Sequence, residues 1–206
     1  RDGVRDRPAS MVWLNRSLAV CLAASMLALG CNPSSNYMRA TGPLTAPRSN
    51  EAQIVFVRDS VLGSAIVLTI IDDKGNFIGE STANSHFAST LPPGKYTFIA
   101  WGEGTHAMRA NVAAGKRYYV EVSPHMGAWS ARFHLFAAKP KTERYKSVRE
   151  SMASTETIAP LKEEGQAYVN GRATDRADAI RKGMARLAEY TPAELAERTL
   201  EESDGE

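Results

Sequence analysis

The sequence predicts a mainly β fold: an antiparallel β-sandwich of about seven or eight strands, followed by a partly helical C-terminal extension. Three observations in residues 52–138 support this fold class. Apolar segments are short and rich in Val, Ile, Tyr and Phe, turn residues interrupt them about every ten positions, and apolar residues alternate with polar ones. Together these features favour strands that are joined by tight turns and that each bury one face.

The strand pattern recurs along the domain in segments 53–59, 64–71, 77–81, 86–91, 92–101, 106–112, 117–123 and 130–138. Between the second and third segments, the sequence DDKGN predicts a tight hairpin, because Asp and Gly suit turn positions with positive φ. Gly94, after two prolines, and Gly115, in AAGK, are expected to adopt positive φ just before strands, since only glycine does so without steric cost.

Residues 139–206 contain few apolar anchors at first, which predicts loop with local helix. A helix is then predicted around Gly183, where three apolar residues recur at helical spacing: Ile180, Met184 and Leu187. Another helix is predicted after Thr191, a good N-cap, with Pro192 at the first helical position and Glu194 placed for a capping box. The apolar stripe is available to pack on the β domain or on a partner.

Residues 1–30 are typical of a secretory signal peptide, with Met11 as a candidate start site. Basic residues precede an apolar run (17–30) that ends at Cys31. The run is shorter than the about 20 residues that a membrane-spanning helix needs, and it matches the about 7–15 of a signal sequence. After it, residues 31–51 are rich in Pro, Ser, Asn and Gly, which predicts a flexible tether.

The residues ALGC, which end at Cys31, resemble the lipobox of bacterial lipoproteins, with Ala28 and Leu29 exchanged relative to the usual order. The resemblance implies that Cys31 carries lipid and anchors the mature protein to a membrane that it does not span. Cysteine usage favours this interpretation over an ordinary signal peptide. Because Cys21 lies in the removed segment, Cys31 would otherwise be a lone thiol in an oxidising compartment. Asn32 stands where such lipoproteins often carry an Asp for inner-membrane retention, which implies an outer-membrane location facing the periplasm.

Two motifs in the β domain resemble those of a known domain. LPPGKYTFIAW and, one strand later, AAGKRYYVEV are similar to the PPGxY and AGxxYYV motifs of an uncharacterised domain of bacterial envelope lipoproteins, which is a prealbumin-like β-sandwich. The resemblance covers residues 52–138. It implies a β-sandwich on a lipid anchor with no established activity, and it assigns no catalytic residues.

Four aromatic residues are candidates for contact with a ligand or partner: Trp101, Tyr118, Tyr119 and Trp129. Tyr118 and Tyr119 are adjacent in a strand and must point to opposite faces, so one is expected in the core and the other at the surface. Only the outward ring is expected to serve a ligand. Each tryptophan is expected either to pack in the core or at its rim, or to contact a sugar or peptide.

Local motifs for catalysis and metal binding are absent from the sequence, and one segment formally fits the dinucleotide-binding pattern GxGxxA. The histidines show neither HxH nor HExxH spacing, and no GxSxG element occurs. GEGTHA (102–107) follows a strand but precedes another strand rather than a helix, so it predicts a hairpin loop instead of a dinucleotide site. The basic segment KPKTERYKSVR is diluted by a glutamate and the net charge is only +2, so no nucleic-acid partner is expected.

These features predict a non-catalytic, lipid-anchored protein of the bacterial cell envelope, without cofactor or bound metal, whose β module binds or scaffolds a protein or glycan partner. The alternative is an envelope hydrolase or a metal-dependent enzyme. Such an enzyme would use the four histidines, which all fall in the β domain: His86, His106, His125 and His134.

Overall fold

The computed structural model describes residues 35–102, 104–126 and 131–206. They all belong to one compact unit. Strands make up 40% and helices 27% of the structure, which confirms the prediction of a mainly β protein.

Eleven strands form within the described residues. They are β1 (Met38–Ala40), β2 (Ala52–Arg58), β3 (Leu68–Asp72), β4 (Phe77–Ser81), β5 (Ser85–Leu91), β6 (Gly94–Trp101), β7 (Thr105–Val112), β8 (Arg117–Met126), β9 (Ala131–Ala138), β10 (Glu156–Pro160) and β11 (Thr199–Leu200). Strands β2 to β9 correspond to the predicted segments, whereas β1, β10 and β11 have no counterpart among them. The predicted turn glycines Gly94 and Gly115 have φ of +149° and +74°.

Four α-helices lie in the C-terminal part of the described chain: α1 (Glu143–Ser151), α2 (Lys162–Gly171), α3 (Ala173–Glu189) and α4 (Pro192–Glu197). The capping box predicted at the start of α4 is confirmed, because the Thr191 hydroxyl accepts from the Glu194 backbone N–H and the Glu194 carboxylate accepts from the Thr191 backbone N–H. Among the described residues, no helix combines the length and the apolar character that crossing a bilayer requires.

The strands form two mixed sheets, so the prediction of a purely antiparallel arrangement is wrong. Sheet A has the order β1-β10-β5-β2-β8-β9, and sheet B has the order β11-β7-β6-β3-β4. Three pairs are parallel: β2 with β8, β10 with β5, and β11 with β7. The reason is connectivity, since the strands of each parallel pair are joined by long crossovers instead of hairpins.

The core contains side chains from both sheets in one hydrophobic cluster. Phe56 of sheet A lies at its centre, stacked on Phe87 of the same sheet at 5.1 Å between ring centroids. Phe56 also contacts Phe98 of sheet B edge-on, at 5.6 Å between ring centroids. All three rings are at most 1% exposed, so this aromatic contact joins the two sheets through the interior.

Regions predicted as a tether and as an extension contribute directly to the sheets. Met38 of β1 is buried, and β1 pairs with β10 in the register Met38↔Pro160. Strand β10 in turn pairs with β5, and β11 forms one edge of sheet B. The sequence does not reveal these strands because β1 and β11 are too short to show alternation and β10 buries a single residue, Ile158.

Helices α2 and α3 pack on sheet B through glycines. A Cβ atom on Gly165 of α2 would overlap the ring of Phe77, and one on Gly183 of α3 would lie 3.0 Å from Cγ1 of Ile99. The buried face of α3 is accordingly Ala179, Gly183 and Leu187. Met184, which the sequence pattern predicts to be buried, is instead 44% exposed. The reason is the close approach of α3 to Ile99, which leaves room for Gly183 but not for a large apolar side chain.

Arg58 at the end of β2 is fully buried. Its guanidinium donates to the backbone carbonyls of Gly63 at 2.7 Å and Ile66 at 2.8 Å, and it lies 4.3 Å from the ring centroid of Phe133. Burial lowers the pKa of Arg58 to about 10, so the side chain remains a cation at neutral pH. These contacts fix the loop between β2 and β3 to the interior.

The contact between α2 and β4 predicts an unusual response to alanine. In a helix interior, Gly→Ala ordinarily stabilises a protein by about 1 kcal/mol. We expect Gly165→Ala instead to lower the free energy of unfolding by about 1–3 kcal/mol, because the added methyl group overlaps Phe77. Urea unfolding followed by circular dichroism measures the change.

The matched control is Gly171→Ala at the end of the same helix, where a Cβ atom meets nothing within 4 Å. This substitution is expected to leave the stability unchanged or to raise it. If Gly165→Ala stabilised the protein as much as Gly171→Ala does, α2 would not approach β4 this closely.

Candidate functional site

The site lies on the outer face of sheet B, which faces away from sheet A. On β6 this face carries Lys95, Thr97, Ile99 and Trp101, because side chains alternate along a strand. Their partners on β7 are Asn111, Arg109, Ala107 and Thr105. Helix α3 covers the central pair, so Ile99 and Ala107 are fully buried. Trp101 and Thr105 emerge beyond the helix, at the closed end of the β6–β7 hairpin.

Trp101 belongs to a group of stacked side chains that we call the aromatic surface: Tyr37, Trp101, Tyr168 and Arg172. The rings of Trp101 and Tyr168 are nearly parallel, at 6.5 Å between centroids. Tyr37, just before β1, stacks on the same Tyr168 ring at 4.5 Å. The Arg172 guanidinium lies 4.9 Å from the Trp101 ring centroid, which is within the range of a cation–π contact.

Arg172 is held in one orientation although its side chain is exposed. It donates a hydrogen bond to the Tyr168 hydroxyl at 2.6 Å and two to the Asp175 carboxylate, at 2.9 and 3.1 Å. The hydrogen bonds to Tyr168 and Asp175 raise the pKa of Arg172 further above its ordinary value. The aromatic surface therefore presents a fixed planar cation against the Trp101 ring.

Two cavities adjoin the aromatic surface, and Trp101, Gly102 and Arg172 belong to the walls of both. The first has a volume of about 400 Å³ and is also lined by Ile66. The backbone carbonyl of Ile66 accepts a hydrogen bond from Arg58. The second has a volume of about 320 Å³, and its further lining includes Thr105, Asp178 and Lys182. We call the two cavities together the Trp101 groove.

The structure buries both adjacent tyrosines, so the expectation that one of them serves a ligand at the surface is wrong. Tyr118 is 0% and Tyr119 is 1% exposed. Tyr118 points into the main core, and its hydroxyl accepts from the Ala113 backbone N–H at 2.8 Å. Tyr119 points to the opposite face, where α1 covers it and its hydroxyl donates to Glu206 at 2.7 Å. Burial is the main cause that raises the pKa of Tyr119 to about 12.

Two other predicted residues lie outside the described part of the chain. Trp129 falls between β8 and β9, and Cys31 precedes the first described residue. Their predicted roles, contact with a partner and attachment of lipid, stay predictions.

Three of the four histidines come together, although their spacing in the sequence predicts no local motif. The ring of His134 lies between those of His106, at 4.0 Å between centroids, and His125, at 4.5 Å. His86 lies elsewhere, with hydrogen-bond partners in Thr155 and Thr157. Within the described ranges, no three or more His, Cys, Asp or Glu side chains are arranged to hold a metal ion.

Cations and aromatic rings surround the histidine cluster. Arg198 lies 3.4 Å from His134 Nδ1 and stacks on Tyr190, whose hydroxyl lies 3.4 Å from His106 Nδ1. Burial, and then the neighbouring His134 and several arginines, lower the pKa of His106 to about 3. Burial, and then His125 and the arginines, lower the pKa of His134 to about 4. Both rings are therefore neutral at physiological pH.

Three members of the aromatic surface are not among the residues predicted from the sequence. Tyr37 falls in the segment predicted as a tether, and Tyr168 and Arg172 fall where apolar residues are sparse. One signal was present, because Tyr168 and Arg172 are separated by four positions, the spacing at which side chains meet on a helix. Their contact with Trp101 depends on the tertiary fold.

Comparison of the chain with protein-family models, with curated proteins and with solved structures finds no match. The assignment of function therefore rests on the residues themselves and their geometry.

The histidine cluster predicts that acid weakens the fold. In the unfolded chain each histidine binds a proton near pH 6.5, whereas His106 and His134 stay neutral in the folded protein until much lower pH. The free energy of unfolding should therefore fall as the pH drops from about 7.5 to about 4, by at most about 1.4 kcal/mol per pH unit for each histidine. The contribution of half-buried His134 is smaller because solvent screens it.

Urea unfolding at several pH values in this window measures the slope. The double variant His106→Gln/His134→Gln should have a shallower slope than the unsubstituted protein, because the groups that protonate only on unfolding are gone. Equal slopes in the two proteins would contradict the assignment.

Proposed function

We propose that this chain is a lipid-anchored lipoprotein of the bacterial envelope, and that its folded region is a non-catalytic β-sandwich module that binds an envelope glycan in the Trp101 groove. One observation carries the proposal: Arg172 is fixed across the Trp101 ring, beside two polar cavities. A planar aromatic ring with a few oriented polar groups is the usual composition of a small-molecule or oligomer site.

The core supports the sandwich part of the proposal. Residues of both sheets share one hydrophobic cluster, and Phe56 of one sheet meets Phe98 of the other at 5.6 Å. Interdigitation of side chains from two inner faces is how packed sheets bury their cores.

The sequence supports the anchor and the location. The apolar run before Cys31 and the residues ALGC are what a lipoprotein signal requires. The resemblance of the PPGxY and AGxxYYV segments to an envelope-lipoprotein domain agrees with an outer-membrane protein that faces the periplasm.

A glycan fits the groove better than a protein partner does. Protein hot spots place Trp, Tyr and Arg in dry, apolar surroundings. The walls around Trp101 instead carry hydroxyl, carboxylate and ammonium groups: Thr69, Thr105, Asp175, Asp178 and Lys182. A sugar ring offers an apolar C–H face for an aromatic ring and hydroxyls that can both donate and accept hydrogen bonds, so it matches both features.

Titration calorimetry with a panel of defined oligosaccharides, including peptidoglycan fragments, tests the glycan site. We expect the unsubstituted protein to bind at least one of them, and Arg172→Ala and Trp101→Ala each to weaken that binding about tenfold or more. Circular dichroism establishes that the variants are folded, and Trp101→Phe, which keeps an aromatic ring, should retain part of the affinity.

The matched control is Arg186→Ala. Arg186 is also exposed and forms an ion pair with Glu189, three residues away, as Arg172 does with Asp175, and neither Arg186 nor Glu189 lines either cavity of the groove. An equal loss of affinity in Arg186→Ala, or capture of a protein at Trp101 with no glycan bound, would refute the glycan site.

Metabolic labelling with a fatty acid tests the anchor. We expect the label and the membrane association to be lost together in Cys31→Ser. Cys21→Ser should keep both, because this cysteine lies in the segment that the signal peptidase removes. If the unsubstituted protein takes up no label and is found in the soluble fraction, the lipid anchor is refuted and residues 1–30 are an ordinary secretion signal.

A further inference from the structure

A second opening lies on the outer face of sheet B, at the other end of the strands from Trp101. It is a cavity of about 730 Å³ between the strands β6 and β7 and helix α4. This volume falls within the about 300–1,000 Å³ that is usual for small-molecule sites. Helix α3 separates it from the Trp101 groove, because α3 covers Ile99 and Ala107 in between.

One wall of the cavity is a polar strand surface with two cations. The register pairs Lys95 with Asn111 and Thr97 with Arg109, so all four side chains stand on one face. Lys95 and Arg109 are therefore diagonal neighbours, about 7–8 Å apart at their backbones, which lets both long side chains reach one anion.

Lys95 and Arg109 form no ion pair with any residue that the structure describes, because neither lies within 4.0 Å of a carboxylate there. The third cation of the lining, Lys139, lies 4.0 Å from Asp204. Two acids also line the cavity, so its lining is mixed in charge: Glu201, whose backbone carbonyl accepts from the Asp204 N–H at 2.9 Å, and Asp73, in the turn between β3 and β4.

The opposite wall is largely apolar. Helix α4 contributes Pro192, Leu195 and Ala196 to the lining. A ligand that filled the space would therefore meet cations on one side and hydrocarbon on the other.

We propose that this cavity binds a small organic anion that carries an apolar group, with its carboxylate or phosphate at Lys95 and Arg109 and its apolar part against α4. Charge-assisted hydrogen bonds to an anion are about twice as strong as neutral ones, and Arg109 can make two in parallel. The site is independent of the glycan in the Trp101 groove, because the two openings share no lining residue.

Isothermal titration of the full chain carrying Cys31→Ser tests the site with four probes: hexanoate, hexyl phosphate, hexanol and acetate. We expect hexanoate or hexyl phosphate to bind with a dissociation constant below about 1 mM, and hexanol and acetate to bind about tenfold more weakly or not at all. Binding of both anions, or of hexyl phosphate alone, supports the proposal and tells whether a carboxylate or a phosphate is preferred.

Variants locate the binding. Lys95→Gln/Arg109→Gln should weaken it about tenfold or more. Ala196→Glu, which adds a negative charge to the apolar wall, should also weaken it, whereas Ala193→Glu, on the same short helix but outside the lining, should not. No binding of either anion, equal binding of hexanol, or an equal effect of the two alanine substitutions would overturn the proposal. Binding of oligosaccharides in the Trp101 groove would be unaffected by any of these outcomes.

Discussion

The contact between Gly183 and Ile99 sets the layout of the outer face of sheet B. Because glycine has no side chain, α3 lies directly on the strands and seals the central pair of residues beneath it. Side chains return to the same face every second residue, so the positions that the helix leaves uncovered form two separate openings. Arg172 is the residue directly before this helix, and its position over Trp101 therefore depends on how closely the helix approaches the sheet.

The two openings differ in chemistry although they share strands β6 and β7. At one end the strands close in a hairpin, where Trp101 meets rings supplied by Tyr37 and Tyr168 from distant parts of the chain. At the other end two of the four strand positions are the long cations Lys95 and Arg109, and the short helix α4 contributes apolar side chains to the lining. The two proposed sites, one for a glycan and one for an organic anion, thus lie on the same β surface.

Local patterns in the sequence predict much of the fold. Alternation and turn residues locate β2 to β9, and the capping residues at Thr191 locate α4. Long-range pairing is not encoded in such patterns, so the parallel contact of β2 with β8 and the three short strands are missed. The buried face of α3 is misplaced because hydrophobic spacing favours Met184, whereas close packing requires Gly183. Of the aromatic surface only Trp101 is predicted, since its neighbours reach it through tertiary contacts.

Strand β1 has a consequence for how the molecule is assembled. Its partner in sheet A is β10, from the C-terminal part of the chain, and β10 itself lies against β5. Of the described strands, the first to be synthesised must therefore wait for one of the last before it can pair. Until then the edge of β5 is open, and open strand edges invite pairing between molecules. The C-terminal third thus acts as an edge cover, so a chain that stops short of β10 would expose a surface prone to aggregation.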